Sequence, residues 1–319
     1  MTNIDKGKTN QDKPILIPIH KPVGMTSFDV IRFFKKKFNL SRHIKIGHFG
    51  TLDPFAEGLL LVGFGRSLKL MPFVHELCPK SYLGLGSFGI KTLSGDYTGE
   101  TVASSELWAK EIILSEEEIF KRHAQDLVGK YLQSRPYFSA AKVDGIPLYE
   151  YARRGEFIDV AKVERSIYEF EIIKRYAGDV TTYPGDLSRL PVIAFRTLVG
   201  TGTYVRTLFE DYCTLLGGIG HLVALFRDKI GPIGVEHALK IQDLESYERL
   251  EQLEKHSLDP LQLLPLEQLW PDDSVIQKLK WGQKIPVNIL PQQSTAPYAW
   301  AMAKTESAAS IVGLLKRDA

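Results

Sequence analysis

Residues Gly47 to Gly58 read G-H-F-G-T-L-D-P-F-A-E-G, and no regular element accommodates that string. Its glycines lose more conformational freedom than any other residue in a helix or strand, and Pro54 drives Asp53 out of the α region. The segment is therefore expected as a shaped loop holding one carboxylate, Asp53, among apolar and glycine neighbours. On its own an Asp-Pro pair starts turns, and Asp caps helices, so an isolated Asp53-Pro54 reads as a turn or a cap. Any further meaning has to come from elsewhere in the chain.

The 319 residues suffice for one large domain and a small one. An apolar share of 44% and a charged share of 24% exclude global disorder and fit a chain that buries a sizeable core. A net charge of +2 is too small to point to nucleic acid by itself, so a polyanion footprint has to come from local clusters. Two are visible: Lys35, Lys36 and Lys37 with Arg42, His43 and Lys45, and the pair Arg153 and Arg154. Such runs also form ordinary solvated helix faces. The two cysteines, Cys78 and Cys213, have neither a C-x-x-C nor a zinc spacing, which fits a reducing compartment. Met1 to Lys13 is polar and mixed in charge, so no signal peptide is expected. With no apolar run of membrane-spanning length, a cytoplasmic enzyme or binder without membrane association is the default expectation.

Read in order, the chain is an α/β (α+β) pattern. A disordered tail is expected over residues 1–13, a main domain over 14–262 and a small β-rich module over 263–319. Ile15 to Ile19 reads as a strand, and Thr26 with Asp29 three residues later opens a helix whose apolar positions are Val30, Phe34 and Phe38. Leu59 to Phe64 is a continuous apolar run suited to a buried strand, and Leu68 to Val74 a short helix. Ser81 to Phe88 is a strand containing Gly84-x-Gly86-x-x-Gly89. No helix pattern follows it, so the dinucleotide-binding reading fails. Ser115 is expected to cap a helix ending near Leu127, Pro136 to Lys142 to be extended, and Leu148 to Arg154 to be a helix closed by Gly155. Strands are expected over Ser166 to Arg175 and Pro191 to Val199, then a helix over Leu208 to Leu216. The mixed pattern continues through His221 to Phe226, Lys229 to Gly234 and Leu239 to Leu244, and Glu245 to Asp259 reads as surface helix or linker.

Five collinear blocks carry a resemblance. They are Lys21-Pro22-x-Gly24-Met25-Thr26-Ser27; Gly47-His48-x-Gly50-Thr51-Leu52-Asp53-Pro54-x-Ala56-x-Gly58; and Lys80-x-Tyr82. Then come Ser139-Ala140-x-Lys142-x-x-Gly145 with Leu148-Tyr149-Glu150-Tyr151-Ala152-Arg153-x-Gly155, and Gly202-Thr203-Tyr204-Val205-Arg206-Thr207. In order and spacing the chain resembles the TruB family of tRNA pseudouridine synthases from about Ile15 to Leu244. The segment beyond Pro265 looks like that family's small RNA-binding module of the PUA type. The resemblance implies a mixed, largely antiparallel sheet flanked by helices. It further implies isomerisation of uridine 55 in the tRNA T-loop, with no cofactor and no metal, by a protein taken to act as a monomer on the T-stem-loop.

It also implies roles for named residues. Asp53 is the catalytic carboxylate, acting on the ribose either by attack at C1′ or by proton removal at C2′. Arg206 pairs with it, and a guanidinium so placed favours the ionised carboxylate. Tyr82 stacks on the target base, and Tyr204 packs beside Arg206. His48 fills the space left by the extruded nucleotide, because a stacked uridine cannot be reached at C1′. Lys21 and Lys69 are implied near the substrate as phosphate contacts.

The chain departs from the family at Phe49, where a small residue is usual and where a larger one is expected to tighten the approach to His48. Leu93 stands in place of an acid. Asp179 to Arg189 looks like a hairpin insertion. The reading from another class is a tRNA-binding or tRNA-folding protein without chemistry, against which the joint presence of Asp53, Tyr82 and Arg206 speaks.

Overall fold

Ile15 to Ile19 is buried almost without a break, which a strand tolerates only inside a sheet covered on both faces. In the computed structural model, which describes residues 15–177, 190–281, 283–286, 296–304 and 309–317, that segment is the core of β1 (Ile15–Lys21). The expected tail and the Asp179 to Arg189 insertion lie outside the described residues. The chain divides into two compact units, Met1–Asp259 and Pro260–Ala319.

In the first unit α1 (Ser27–Lys37) opens with Thr26 and Asp29 exchanging hydrogen bonds, the reciprocal capping box its sequence announces. β2 (Ile46–His48) and β3 (Glu57–Phe64) bracket the Asp53 loop, and α2 (Met71–Leu77) leads to β4 (Lys80–Phe88). A side hairpin, β5 (Ile90–Thr92) with β6 (Thr101–Ser104), precedes α3 (Glu106–Ile112) and α4 (Glu117–Gln125). β7 (Gly129–Gln133), the small hairpin β8 (Lys142–Val143) with β9 (Ile146–Pro147), and α5 (Leu148–Arg153) follow. β10 (Val163–Tyr176), β11 (Val192–Val199), α6 (Val205–Leu215), β12 (Gly220–Ile230), β13 (Ile233–Gly234) and β14 (Leu239–Lys240) come next.

The main sheet has the order β14-β1-β3-β12-β4-β11-β10-β7, with β13 on β12 and β2 on β3. Among the described residues of this sheet β1 with β14 and β3 with β12 run parallel and its other strand pairs antiparallel, so the sheet is mixed and largely antiparallel, as the fold reading anticipates. The short parallel contact pairs Arg227 with Gly58 and brings β12 under the Asp53 loop. One core lies where α3, α4 and α6 cover the sheet, with Phe88, Phe120, Phe195, Phe209 and Tyr212 at its centre. A second lies under α1, with Ile17, Phe34, Leu60 and Val62.

The G-x-G-x-x-G string has a packing explanation. A methyl on Gly84 would lie 2.2 Å from the Phe195 ring and one on Gly86 2.1 Å from the Phe209 ring, and those two rings stack with centroids 5.7 Å apart. The glycines make room for aromatic rings.

Several sequence expectations are corrected. The helix after β11 opens at Val205, three residues early, because Tyr204 is extended and already serves as its N-cap. α4 is capped by Glu116 without a side-chain bond, while the Ser115 carbonyl accepts from Arg175. Pro136 to Lys142 bends instead of running straight. Glu245 to Asp259 takes the helical one of its two expected readings, surface helix or linker, but as tight 3-10 turns that fully bury Leu253, and Leu258 and Ser257 bond to Leu16. Short α7 (Pro260–Leu263) opens the second unit, where α8 (Asp273–Lys280) accompanies the sheet β15 (Glu267–Leu269), β16 (Tyr298–Lys304) and β17 (Ala309–Lys316). Trp300, 1% exposed, anchors it through its indole N–H to the Leu264 carbonyl at 2.8 Å.

Candidate active site

β2 and β3 pair from Ile46↔Phe64 to His48↔Val62, so both ends of the Asp53 loop are fixed by one hairpin ladder. Within it the Ala56 N–H closes a turn on the Asp53 carbonyl at 3.1 Å. The turn between β1 and α1 supports the loop from one side: Gly24 N–H donates to the Pro54 carbonyl at 2.8 Å. Ser27 Oγ accepts from the Leu52 N–H at 2.8 Å and donates to its carbonyl at 3.0 Å. The Lys21 to Ser27 and Gly47 to Gly58 motifs are thus one structural unit.

Two buried cations hold carbonyls of the loop and of the segments next to it. Lys21 is fully buried, and its ammonium donates to the carbonyls of Pro22, Met25 and Ala56 at 2.9, 2.7 and 2.6 Å. All three of its donors are thereby used. This corrects the expectation of a phosphate contact: Lys21 is spent inside the protein. Burial lowers its pKa to about 8, and the Asp53 carboxylate is the strongest influence in the other direction. Arg227 is also fully buried. Its Nε donates to the Leu59 carbonyl at 2.7 Å, Nη1 to Thr51 at 3.1 Å and Nη2 to Gly50 at 3.1 Å, and Nη1 lies 3.4 Å from the Tyr82 hydroxyl. Gly58 has φ +113°, and a methyl there would stand 2.3 Å from the Arg227 carbonyl oxygen. Only glycine lets β3 and β12 approach at this point.

Arg206 arrives in the first turn of α6. Its Nε meets Asp53 Oδ2 at 2.9 Å and its Nη2 meets Oδ1 at 3.3 Å, the paired arrangement of a planar fork on a carboxylate. The guanidinium also donates to the Phe138 carbonyl at 3.0 Å and to the Ser94 carbonyl, and lies 3.7 Å from the buried carboxylate of Asp96. Asp96 in turn accepts from the N–H and hydroxyl of Thr98. The asymmetry of exposure matters: the Asp53 side chain is 32% exposed and that of Arg206 only 4%. The guanidinium is locked in the protein, and the carboxylate is presented outward in one orientation.

The remaining candidates are placed as follows. Tyr82, 6% exposed on β4, packs with Leu52 and Phe55 under the loop. Half-buried Tyr204 has both backbone groups clamped by the Gln133 amide, which accepts from its N–H at 2.8 Å and donates to its carbonyl at 3.1 Å. His48 closes β2 with its Nδ1 buried and without a hydrogen-bond partner among the described residues. Its pKa is lowered by burial first and then by Arg227 and His75, which keeps it neutral at neutral pH. Lys69 is exposed on the turn before α2. Phe49 does not crowd the approach to His48: it is fully buried, its ring against Gly63. Leu93 keeps its loop in place through the backbone, its N–H on the Glu100 carbonyl at 2.8 Å.

The fold is shared with solved chains. A structure of a Cbf5-Nop10-Gar1 complex covers 91% of this chain and 74% of its own with a TM-score of 0.64 at 22% identity. An archaeal box H/ACA sRNP Nop10-Cbf5 complex covers 91% and 75% with a TM-score of 0.59 at 21% identity. These likenesses define the architectural class, a mixed α/β sheet domain with a small β-rich module. Sequence comparison narrows it. Residues 35–205 match the TruB family pseudouridylate synthase N-terminal domain. The tRNA pseudouridine synthase B of Caldicellulosiruptor saccharolyticus is 34% identical over 270 residues, 85% of this chain and 83% of that protein. That of Chloroherpeton thalassium is 38% identical over 229 residues, 71% of this chain and 87% of that protein. The chain belongs to the TruB family of pseudouridylate synthases.

Sequence reasoning passed over three parts of this site. Arg227 falls between the stretches His221 to Phe226 and Lys229 to Gly234 and was passed over; the parallel contact with Gly58 makes it a loop anchor. Gln133 and Asp96 carried no signal of their own, although Asp96 stands in the loop where Leu93 drew notice.

Proposed function

We propose that the protein isomerises uridine 55 in the T-loop of tRNA to pseudouridine, acting on a nucleotide drawn out of its stack. The observation that carries this reading is the outward carboxylate of Asp53, fixed by a guanidinium that is itself buried. In the reaction the N1–C1′ bond breaks, the uracil turns, and C5 bonds to C1′; the C5 proton leaves and N1 regains one. Asp53 assists at the ribose by attack at C1′ or proton removal at C2′, and both require its ionised form. Arg206 fixes the carboxylate's orientation in a site from which water is partly excluded. Tyr82 supplies the surface on which the uracil is held, and Tyr204 supports Arg206. His48, neutral and planar, fills the gap in the T-loop and offsets part of the cost of extrusion, which is a few kcal/mol. Exposed Lys69 meets phosphate.

The relatives named tRNA pseudouridine synthase B support the substrate class, and the second unit, residues 260–319, is read as an accessory RNA-binding module. No helix among the described residues is long and apolar enough to cross a membrane. We take the protein to work as a monomer in the cytoplasm.

The test offers the enzyme an unmodified tRNA transcript, an isolated T-stem-loop, and an RNA of the same bases that cannot fold. Pseudouridine is mapped by carbodiimide adducts and primer extension. The reading expects one modified T-loop position in the first two and none in the third. Binding without modification in all three would leave a tRNA-binding protein, and equal modification of folded and unfolded RNA would remove the T-loop as the recognised element.

A further inference from the structure

Lys80 opens β4 two residues before Tyr82, and the site described above gives it no task. Its side chain is 6% exposed and passes beneath the Asp53 loop, where a methyl on Gly50 would lie 3.3 Å from its Cε. The ammonium donates to the Thr201 hydroxyl at 2.8 Å and to the Cys78 carbonyl at 3.4 Å. An ammonium has three donors, so one has no acceptor among the described residues.

The surroundings of that charge are cationic. Arg227 is its main charged neighbour, Lys80 in turn lowers the pKa of His75, and among the described residues no carboxylate acts on Lys80. Burial is the largest cause of its pKa falling to about 8, yet at neutral pH the group is mostly charged. His48 Nδ1 and His75 Nε2, on rings whose pKa values are lowered by burial first, are buried without a hydrogen-bond partner among the described residues. A buried cation with no counter-charge lowers stability, and such charges persist where a ligand supplies the missing anion.

Thr201 shows where the anion arrives. It sits partly exposed on the turn between β11 and α6, and because its oxygen accepts from Lys80 its own O–H is directed elsewhere. Gly200 and Gly202 flank it and offer no side chain to obstruct an approach. Against this turn lie Arg165, whose guanidinium carbon would be 3.1 Å from a methyl on Gly202, and Tyr168, whose hydroxyl would be 3.7 Å from one on Gly200. The Thr201 hydroxyl and the Arg165 guanidinium thus face one turn beside the Asp53 loop, with the buried Lys80 ammonium directly behind the hydroxyl.

We propose that Lys80 and Thr201, with Arg165 beside them, clamp one phosphodiester of the RNA strand next to the extruded uridine, making Lys80 a positioning residue for the isomerisation. The proposal rests on the RNA-isomerising reading of the site. It takes backbone phosphate and no base edge, so it contributes affinity and register without sequence preference.

The experiment compares wild type, Lys80→Met and Lys80→Arg on a T-stem-loop in which each phosphate flanking the target is replaced in turn by a neutral methylphosphonate. Lys80→Met is expected to bind the unmodified RNA about tenfold more weakly, with a salt slope lower by about 0.7 to 1, the loss of one phosphate contact. Lys80→Arg should restore most of the affinity. At one linkage the methylphosphonate should weaken wild type about tenfold and leave Lys80→Met unchanged, since each removes the same contact. The thermal midpoint of Lys80→Met should equal or exceed that of wild type, which a structural lysine would not allow. The proposal is overturned if methylphosphonate effects are the same in wild type and Lys80→Met at every linkage, or if Lys80→Met is destabilised while its salt slope stays that of wild type. Pseudouridine is assayed in parallel. Modification without the coupling sinks the clamp alone, whereas coupling without modification keeps the clamp and sinks the isomerase reading.

Discussion

Arg206 and Arg227 are both buried arginines that reach the same loop, and they end on opposite kinds of group. Arg206 meets the carboxylates of Asp53 and Asp96. Arg227 meets the carbonyls of Gly50, Thr51 and Leu59, and among the described residues it forms no ion pair. The first holds a functional group whose charge has to face outward. The second holds a backbone path that no regular ladder satisfies, since buried carbonyls without donors are costly. One arginine orients the reacting carboxylate, and the other maintains the shape that carries it. Lys21 belongs with Arg227, because its three donors also go to carbonyls.

The comparison can be broken by mutation, and the largest effect is expected on the carbonyl side. Arg227→Met removes the donor from the loop carbonyls of Gly50 and Thr51 and from the β3 carbonyl of Leu59, and at about 1–3 kcal/mol for each unsatisfied buried group the cost is roughly 5 kcal/mol. Denaturant unfolding should show that loss; a variant as stable as wild type would mean the loop does not depend on Arg227. Arg206→Lys keeps the charge but removes the fork. Its single-turnover rate should fall about a hundredfold, about 2.7 kcal/mol, while unfolding changes far less than in Arg227→Met. If the rate survives, the orientation of Asp53 is not what Arg206 provides. Gly58→Ala forces a methyl onto the Arg227 carbonyl at a positive φ, and a destabilisation of roughly 1–3 kcal/mol is expected in the same unfolding experiment.

The smallest effect concerns protons. Glu210 stands one turn beyond Arg206 with its carboxyl against Gly95, and burial raises its pKa to about 7 despite the opposing pull of Lys91 and Arg206. A carboxyl whose folded pKa is raised disfavours the folded state when ionised. Its cost is therefore fully present above about pH 7 and is relieved as pH falls toward the unfolded value near 4.5. Glu210→Gln should remove that component: the stability gained by the variant at pH 8 should shrink as pH falls through this window. A constant difference across the range would show that Glu210 is not titrating there.

The same contrast explains what could be read from the sequence. Arg206 was legible because it falls in Gly202-Thr203-Tyr204-Val205-Arg206-Thr207, a block whose residues are local to one another. β1, α1, β3 and β4 were legible for the same reason, their apolar spacing and the Thr26-Asp29 cap being contained in short windows. Arg227 was not, because its burial depends on a parallel register with Gly58, 169 positions away in the chain. Lys21, which the resemblance implied as a phosphate contact, was not legible as a buried anchor for the same reason: its burial depends on the Ala56 carbonyl, 35 positions away. The turns that bury Leu253 read as surface helix or linker because charged residues are spread unevenly among the few apolar ones, Tyr247, Leu250 and Leu253, whose burial against the β1 core is a long-range contact.

The central claim, that the outward carboxylate of Asp53 performs the isomerisation, is tested most directly by tritium release from tRNA labelled at uridine C5, with RNA binding measured on the same samples. Wild type is expected to release tritium from one T-loop uridine, and Asp53→Asn, which removes the charge at nearly unchanged size, is expected to bind the tRNA and release none. Release by Asp53→Asn at a rate near that of wild type would contradict the account.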